Sequence, residues 1–282
     1  MGTPWISCVE ERLCGRVTEQ RSLSGGCIAD VRLVQMEDGR RVVAKVGGPS
    51  LDLEGAMLGH LRERSDLPVP EVLHAESDLL VMEFIEHTGG SGWGGHLAEL
   101  LSELHGGESP DGRFGFGEPT LIGPLRLENG WSDSWSDFYR EKRLLVMVDE
   151  AAARGNLARG LESRLRRYGD RMERDLDHPV RASLIHGDVW GGNVLASGDR
   201  VVGLIDPSVV YADAEFELAF ISLFSTGGSA FFERYGELRG IADGFFERRV
   251  FVYQLFPLLV HVALFGGGYV GQLDSVLQRV ER

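Results

Sequence analysis

Only three of the 282 residues are cysteine, Cys8, Cys14 and Cys27, crowded into the start of the chain with no CxxC pair. An odd set of this kind fits neither a disulfide framework nor a zinc knuckle. Basic residues are outnumbered, 29 against 43 acidic, and the formal charge of −14 argues against a nucleic-acid binder, whose affinity rests on Lys and Arg neutralising phosphates. The Arg-rich stretch Arg154 to Arg174 alternates with Glu162, Asp170, Glu173 and Asp175, as a solvated helix face does. The opening MGTPWISCVEER carries early acids and no uninterrupted apolar run, so it does not read as a secretory signal. The longest apolar stretch, Val250 to Phe265, is interrupted by Gln254, Pro257 and His261 and falls short of a membrane span. These absences predict a soluble, cytoplasmic protein with no membrane partner. Repeats and low-complexity linkers are missing as well, and at about 150 residues per domain the length allows two lobes.

The texture of the chain changes near Ile85, which divides it into a β-rich part, 1–85, and a mainly helical part, 86–282. Thr3 and Pro4 pair as N-cap and first turn of a short helix that Gly15 closes. Runs at 16–23, 29–36 and 41–46 read as strands of a small antiparallel sheet, the first two flanking Gly25-Gly26. Leu51, Glu54, Met57, Leu58 and Leu61 then share one face of a helix. Glu54 thus lies inside an apolar stripe, where an ionised carboxylate is costly unless paired, and Lys45 on the preceding strand is the available cation. Leu79 to Ile85 reads as a buried strand, followed by GGSGWGG and a helix with Leu97, Leu100, Leu101 and Leu104 on one side. Gly90, Gly92 and Gly95 satisfy GxGxxG, but no second strand ending in an acid follows, so these glycines read as a flexible connection rather than a dinucleotide fingerprint.

The most informative stretch is SLIHGDVWGGNVLASGDRVVGLIDPS, Ser183 to Ser208. Two aliphatic runs bracket the turn SGD as a hairpin. Asp188 precedes Asn193 by the interval of the protein-kinase catalytic loop, and Asp206 ends the second strand. Phosphoryl transfer from ATP uses such a set: one carboxylate takes the proton of the attacking hydroxyl, while an amide oxygen and a second carboxylate hold Mg2+ against the phosphates. His186 reads as a brace for this loop, and Glu217 as its anchor from a following helix.

On these residues the chain resembles the fructosamine kinase (ketosamine 3-kinase) family, relatives of the aminoglycoside phosphotransferase-like kinases. The resemblance covers nearly the whole length and rests on GGCI, VAKV, FGF with DSWSDFYREKRL, HGDVWGGNV, IDPSVVYADAEFELAF and YQLFPLLVHVALFGGGY. It implies an α+β, two-lobed protein-kinase-like fold with a β-rich N-lobe and a helical C-lobe, binding ATP and Mg2+ in the cleft between them. It implies Asp188 as general base, Asn193 and Asp206 as magnesium ligands, and Lys45, held by Glu54, on the phosphates. Gly25, Gly26 and Cys27 fall in the nucleotide loop, Met82 lines the pocket, and Glu83, Phe84 and Ile85 supply the adenine hinge. Trp190 becomes a flat wall for the sugar. The implied reaction phosphorylates a hydroxyl of a ketosamine, fructosamine or ribulosamine, free or on lysine, so that the adduct is eliminated.

Three departures accompany the resemblance. Leu127 stands where the family carries glutamine, ahead of Asn129 and Trp131; the nucleotide loop lacks a full GxGxxG; and the magnesium motif is DPS. Cys27 reads as a small loop residue rather than a redox switch, His261 as a satisfied core histidine, and Pro257 as a kink in a buried helix. An aminoglycoside- or choline-type kinase and a nucleotide-binding scaffold without turnover are the alternatives.

Overall fold

In the computed structural model, which describes residues 4–23 and 29–282, the β-branched runs of the first part pair into one antiparallel sheet. The order is α1 (Pro4–Arg12), β1 (Val17–Ser22), β2 (Asp30–Met36), β3 (Arg41–Val46), α2 (Leu51–Arg64), β4 (Val72–Glu76) and β5 (Leu79–Glu83), with the strands arranged β1-β2-β3-β5-β4. Residue alternation sends the strands' side chains to opposite faces. On one face Val34, Met36, Val42, Ala44, Leu79 and Val81 pack under Val9 of α1 and Leu13 just after it. On the other, Val43, Leu80 and Met82 meet Met57, Leu58 and Leu61 of α2, the stripe the sequence predicts. Strand β4 is an addition to the sequence reading. Its sequence VLHAE is short, half polar, and closely follows Pro68 and Pro70, so it carries little strand signal of its own. Thr3 and the loop residues Gly25, Gly26 and Cys27 lie outside the described residues.

The second part begins with α3 (Gly94–Leu104) and the short strands β6 (Phe114–Phe116), β7 (Thr120–Ile122), β8 (Leu125–Leu127) and β9 (Gly130–Ser132). Helices α4 (Trp135–Tyr139), α5 (Leu145–Ala153) and α6 (Arg159–Gly169) lead to β10 (Ser183–Ile185), the predicted hairpin β11 (Val194–Ser197) and β12 (Arg200–Leu204), and β13 (Val210–Ala212). Four helices close the chain: α7 (Ala214–Leu223), α8 (Gly228–Arg239), α9 (Val250–Phe265) and α10 (Gly268–Glu281). A small sheet ordered β10-β13-β6-β9 carries the central loop of the site. The architecture is the expected one, a β-sheet region followed by a helical region.

Several local readings change. The GGSGWGG segment is not slack: a Cβ at Gly90 would stand 2.1 Å from the Gly198 carbonyl oxygen, and one at Gly94 2.0 Å from that of Gly227. These glycines permit close backbone approach, which pins the segment to the β11–β12 turn and to the start of α8. A π-helical turn, Phe245–Arg249, extends α9 into an apolar helix of 21 residues, long and apolar enough by composition to cross a membrane. Its most apolar window is 72% buried inside the protein, against α5, α7 and α10, so it is a core helix. Pro257 has no N–H for the Tyr253 carbonyl, and the Tyr139 hydroxyl donates there at 3.4 Å, as well as to Val252 O at 2.8 Å. His261 is satisfied, its Nδ1 lying 2.7 Å from Pro257 O. The Arg-rich stretch is a paired surface, with Arg164 bound to Asp274 and Glu281 and Arg166 to Asp149 and Glu162.

Candidate active site

Strand β10 delivers the chain into a loop whose backbone is fixed before any side chain acts. Gly187 has φ of 85°, and a Cβ there would lie 2.0 Å from Ser208 O, so glycine alone fits. The Ser208 N–H donates to His186 O at 2.7 Å, tying the loop to the segment that follows β12. His186 is wholly buried and accepts the Asp188 N–H on Nδ1 at 3.3 Å, the bracing role expected of it; its Nε2 has no partner among the described residues. Asn193 donates its amide to Asp188 O at 2.9 Å and Asp188 Oδ2 at 3.0 Å, which leaves its amide oxygen as the atom to meet a cation. Asp206 sits at φ 55°, a left-handed conformation that costs a non-glycine residue about 1–3 kcal/mol and is found at functional turns.

The predicted pair of Lys45 and Glu54 forms, with Lys45 Nζ 2.6 Å from Glu54 Oε1 and both side chains about nine-tenths buried. Lys45 is one of only two lysines in the chain. Its ammonium also contacts the Asp206 carboxylate, so residues 161 positions apart meet at one point. Burial alone would lower the Lys45 pKa, but the carboxylates of Glu54 and Asp206 outweigh it and hold the ammonium charged. Burial pushes Glu54 up, opposed by Lys45. Asp188 is pushed up to about 8, first by burial and then by the Asp206 charge. Asn193 Oδ1 and the remaining Asp206 oxygen are hard donors of the kind Mg2+ takes, and they fit such an ion.

Behind the loop lies a buried chain of polar groups. Glu217 on α7 accepts the Gly187 N–H at 2.5 Å with one oxygen and lies 2.8 Å from His105 Nε2 with the other; His105 Nδ1 lies 2.7 Å from the Tyr235 hydroxyl. Glu217 therefore anchors the loop, as its place in the sequence predicts. His105 and Tyr235 are not legible in the sequence, because nothing in a local motif relates the end of α3 to the middle of α8. The neighbouring histidine and the backbone donor hold Glu217 below the usual carboxylate range against its burial.

On the open side, the Trp190 ring is 44% exposed and lies flat on Gly192, where a Cβ would meet the ring at 2.3 Å. Trp131 is exposed beside the Arg113 guanidinium, 5.5 Å from its ring, and Tyr211 at 6.0 Å. Leu127 is fully buried in the core, and Asn129 is spent on Glu118 O, Thr120 and Arg143, so neither reaches an acceptor. Met82 is buried between the sheet and α2, Glu83 is exposed, Phe84 lies under Arg41 at 4.9 Å, and Ile85 packs on Gly203. A hollow of about 470 Å3 beside Phe114, Trp135 and His178 contains none of these residues.

The fold is that of the kinase-like phosphotransferases. An aminoglycoside phosphotransferase solved with ADP and hygromycin B shares the fold alone, with a TM-score of 0.69 at 18% identity over 98% of this chain and 99% of that one. The chain belongs to the fructosamine kinase family, whose sequence profile matches residues 7–282. It is 32% identical to a protein of Synechocystis sp. named probable ketoamine kinase, covering 95% of this chain and 92% of that one. A crystal structure from Thermobifida fusca, assigned as a fructosamine-3-kinase, superposes with a TM-score of 0.89 at 28% identity over 100% of both chains.

Proposed function

We propose that this chain is an ATP-dependent kinase that phosphorylates a sugar hydroxyl of ketosamines, fructosamine or ribulosamine, free or carried on lysine. The observation that carries the reading is the convergence of Lys45 and Asp206 beside the Asp188–Asn193 pair, with the exposed Trp190 ring on the same loop. In this reading residues 1–85 form the nucleotide lobe, with Gly25, Gly26, Cys27 and Lys45 toward the phosphates and Met82 to Ile85 around the adenine. Asn193 and Asp206 would hold Mg2+, which when bound neutralises charge developing on the phosphates. The acceptor oxygen forms its bond to the γ-phosphorus as its proton passes to Asp188. The bond from that phosphorus to the β-phosphate oxygen breaks, and ADP leaves. Burial and the Asp206 charge raise the Asp188 pKa, which makes its ionised carboxylate a stronger proton acceptor. Burial of the α9 core helix supports a soluble protein.

The test is ADP production with ribulosamine and fructosamine derivatives of lysine, comparing wild type with Asp188→Asn. Wild type turns over, and the variant loses at least ~100-fold while still binding ATP. Turnover on aminoglycosides alone would instead support the first alternative. Stabilisation by ATP with no ADP released on any acceptor would support the scaffold.

A further inference from the structure

On the face of the sheet turned away from α2, helix α1 and the edge strand β4 bring a second set of donor atoms together. Cys8 Sγ lies 3.8 Å from His74 Nε2, and the same nitrogen lies 3.1 Å from Glu76 Oε1. All three ligand atoms fall within 4.8 Å of one another. The arrangement is built by register. His74 and Glu76 are two residues apart and pair with Val81 and Leu79, so both project to the face that α1 covers. Val9 and Leu13, buried in that layer, hold α1 with Cys8 over β4.

Hydrogen bonding alone does not account for this geometry. A Cys–His–carboxylate relay places thiol and carboxylate on opposite ring nitrogens, whereas here both face Nε2. One ring nitrogen offers a single N–H or a single lone pair and serves one neighbour well. A cation at the common focus serves all three. With Zn–S of about 2.3 Å and Zn–N or Zn–O of about 2.0–2.2 Å, tetrahedral zinc sets S···N near 3.5 Å and N···O near 3.4 Å, each a few tenths of an ångström from what is seen. A thiolate and a carboxylate balance the two charges, and the sulfur–nitrogen donor pair selects zinc over Mg2+ or Ca2+. Arg12, 3.3 Å from Glu76 Oε1, is exposed and free to yield that oxygen. The other such trio, His178, Asp213 and Glu215, already has its cation: Arg249 donates to both Glu215 oxygens at 2.5 and 2.7 Å.

We propose that Cys8, His74 and Glu76 form a zinc site, with water in the fourth position, that staples α1 to the edge strand of the N-terminal sheet. The full chain, purified without a histidine tag and stripped with chelator, is titrated with Zn2+ and with Co2+. Wild type retains one zinc per chain, gains thermal stability and loses alkylation at Cys8; the cobalt form shows a thiolate-to-metal absorption band. Cys8→Ser and His74→Gln each lose the band and weaken zinc at least ~10-fold, the lower limit even for groups that only support a ligand. Cys14→Ser, Cys27→Ser and Asp206→Asn keep both, which separates this site from the cleft. Circular dichroism of each variant, compared with the metal-free wild type, controls for misfolding. No thiolate band in wild type, or its survival in Cys8→Ser, overturns the proposal.

Discussion

Glu217 receives the backbone N–H of Gly187 at 2.5 Å, so a carboxylate on α7 determines where the chain stands one residue before Asp188. Its second oxygen is taken by His105, and both side chains are fully buried. Replacing Glu217 by alanine strands two buried polar groups at once. Glu217→Ala is expected to lower stability by about 3–5 kcal/mol, the range for breaking a buried pair from one side, and Glu217→Gln by less. Urea unfolding measures the first effect. The second readout is kcat, which should fall in Glu217→Gln with the KM for ATP little changed, because the proposed reading places the nucleotide against Lys45 rather than α7.

Gly187→Ala tests the backbone directly. The φ of 85° alone costs alanine about 1–3 kcal/mol, and the added methyl must displace Ser208 O. Lower melting temperature together with loss of phosphotransfer is expected, and a variant with wild-type rates would show that the loop tolerates another path.

Trp190→Ala separates binding from folding. Because the ring is 44% exposed, its removal should leave stability within about 0.5 kcal/mol of wild type. A sugar packed on its face would lose about tenfold in KM, equivalent to about 1.4 kcal/mol, with the KM for ATP unmoved. Steady-state kinetics with both substrates varied decides it.

His178 makes stability depend on pH. Burial would lower its pKa, but the Asp213 hydrogen bond at 2.9 Å and the charges of Asp213 and Glu215 raise it, against the repulsion of Arg249. A raised folded pKa means that the charged histidine contributes its full stabilisation below the ordinary value near 6.5, and that this is lost as pH climbs through the folded value. Melting temperature should therefore decline across that interval, and His178→Gln should flatten the decline.

How much of this could be read from the chain depended on whether the signal was local. Lys45 and Glu54 were legible because a carboxylate inside an apolar stripe demands a cation, and Asp188, Asn193 and Asp206 because their spacing encodes the loop. The strand β4 escaped because its five residues are weakly apolar and paired only through β5. The glycines after Ile85 look slack in the sequence because close backbone contact depends on a distant partner, Gly198 or Gly227, that a local motif does not name. His105 meets Glu217 across 112 positions and Tyr235 across 130, and escapes a local reading for the same reason. The apolar helix reads as starting at Val250 in the sequence because the π-turn before it carries the charges Glu247, Arg248 and Arg249, which conceal its continuation.

The near absence of lysine carries a chemical consequence. Sugars condense with primary amines, and apart from its backbone terminus this chain offers two: Lys45, clasped between carboxylates, and Lys142, half covered on the turn after α4. Its other cations are guanidinium groups, which do not form that imine. If the proposed function holds, a catalyst for mending sugar-scarred amines, built this way, exposes almost none of its own to the damage it corrects.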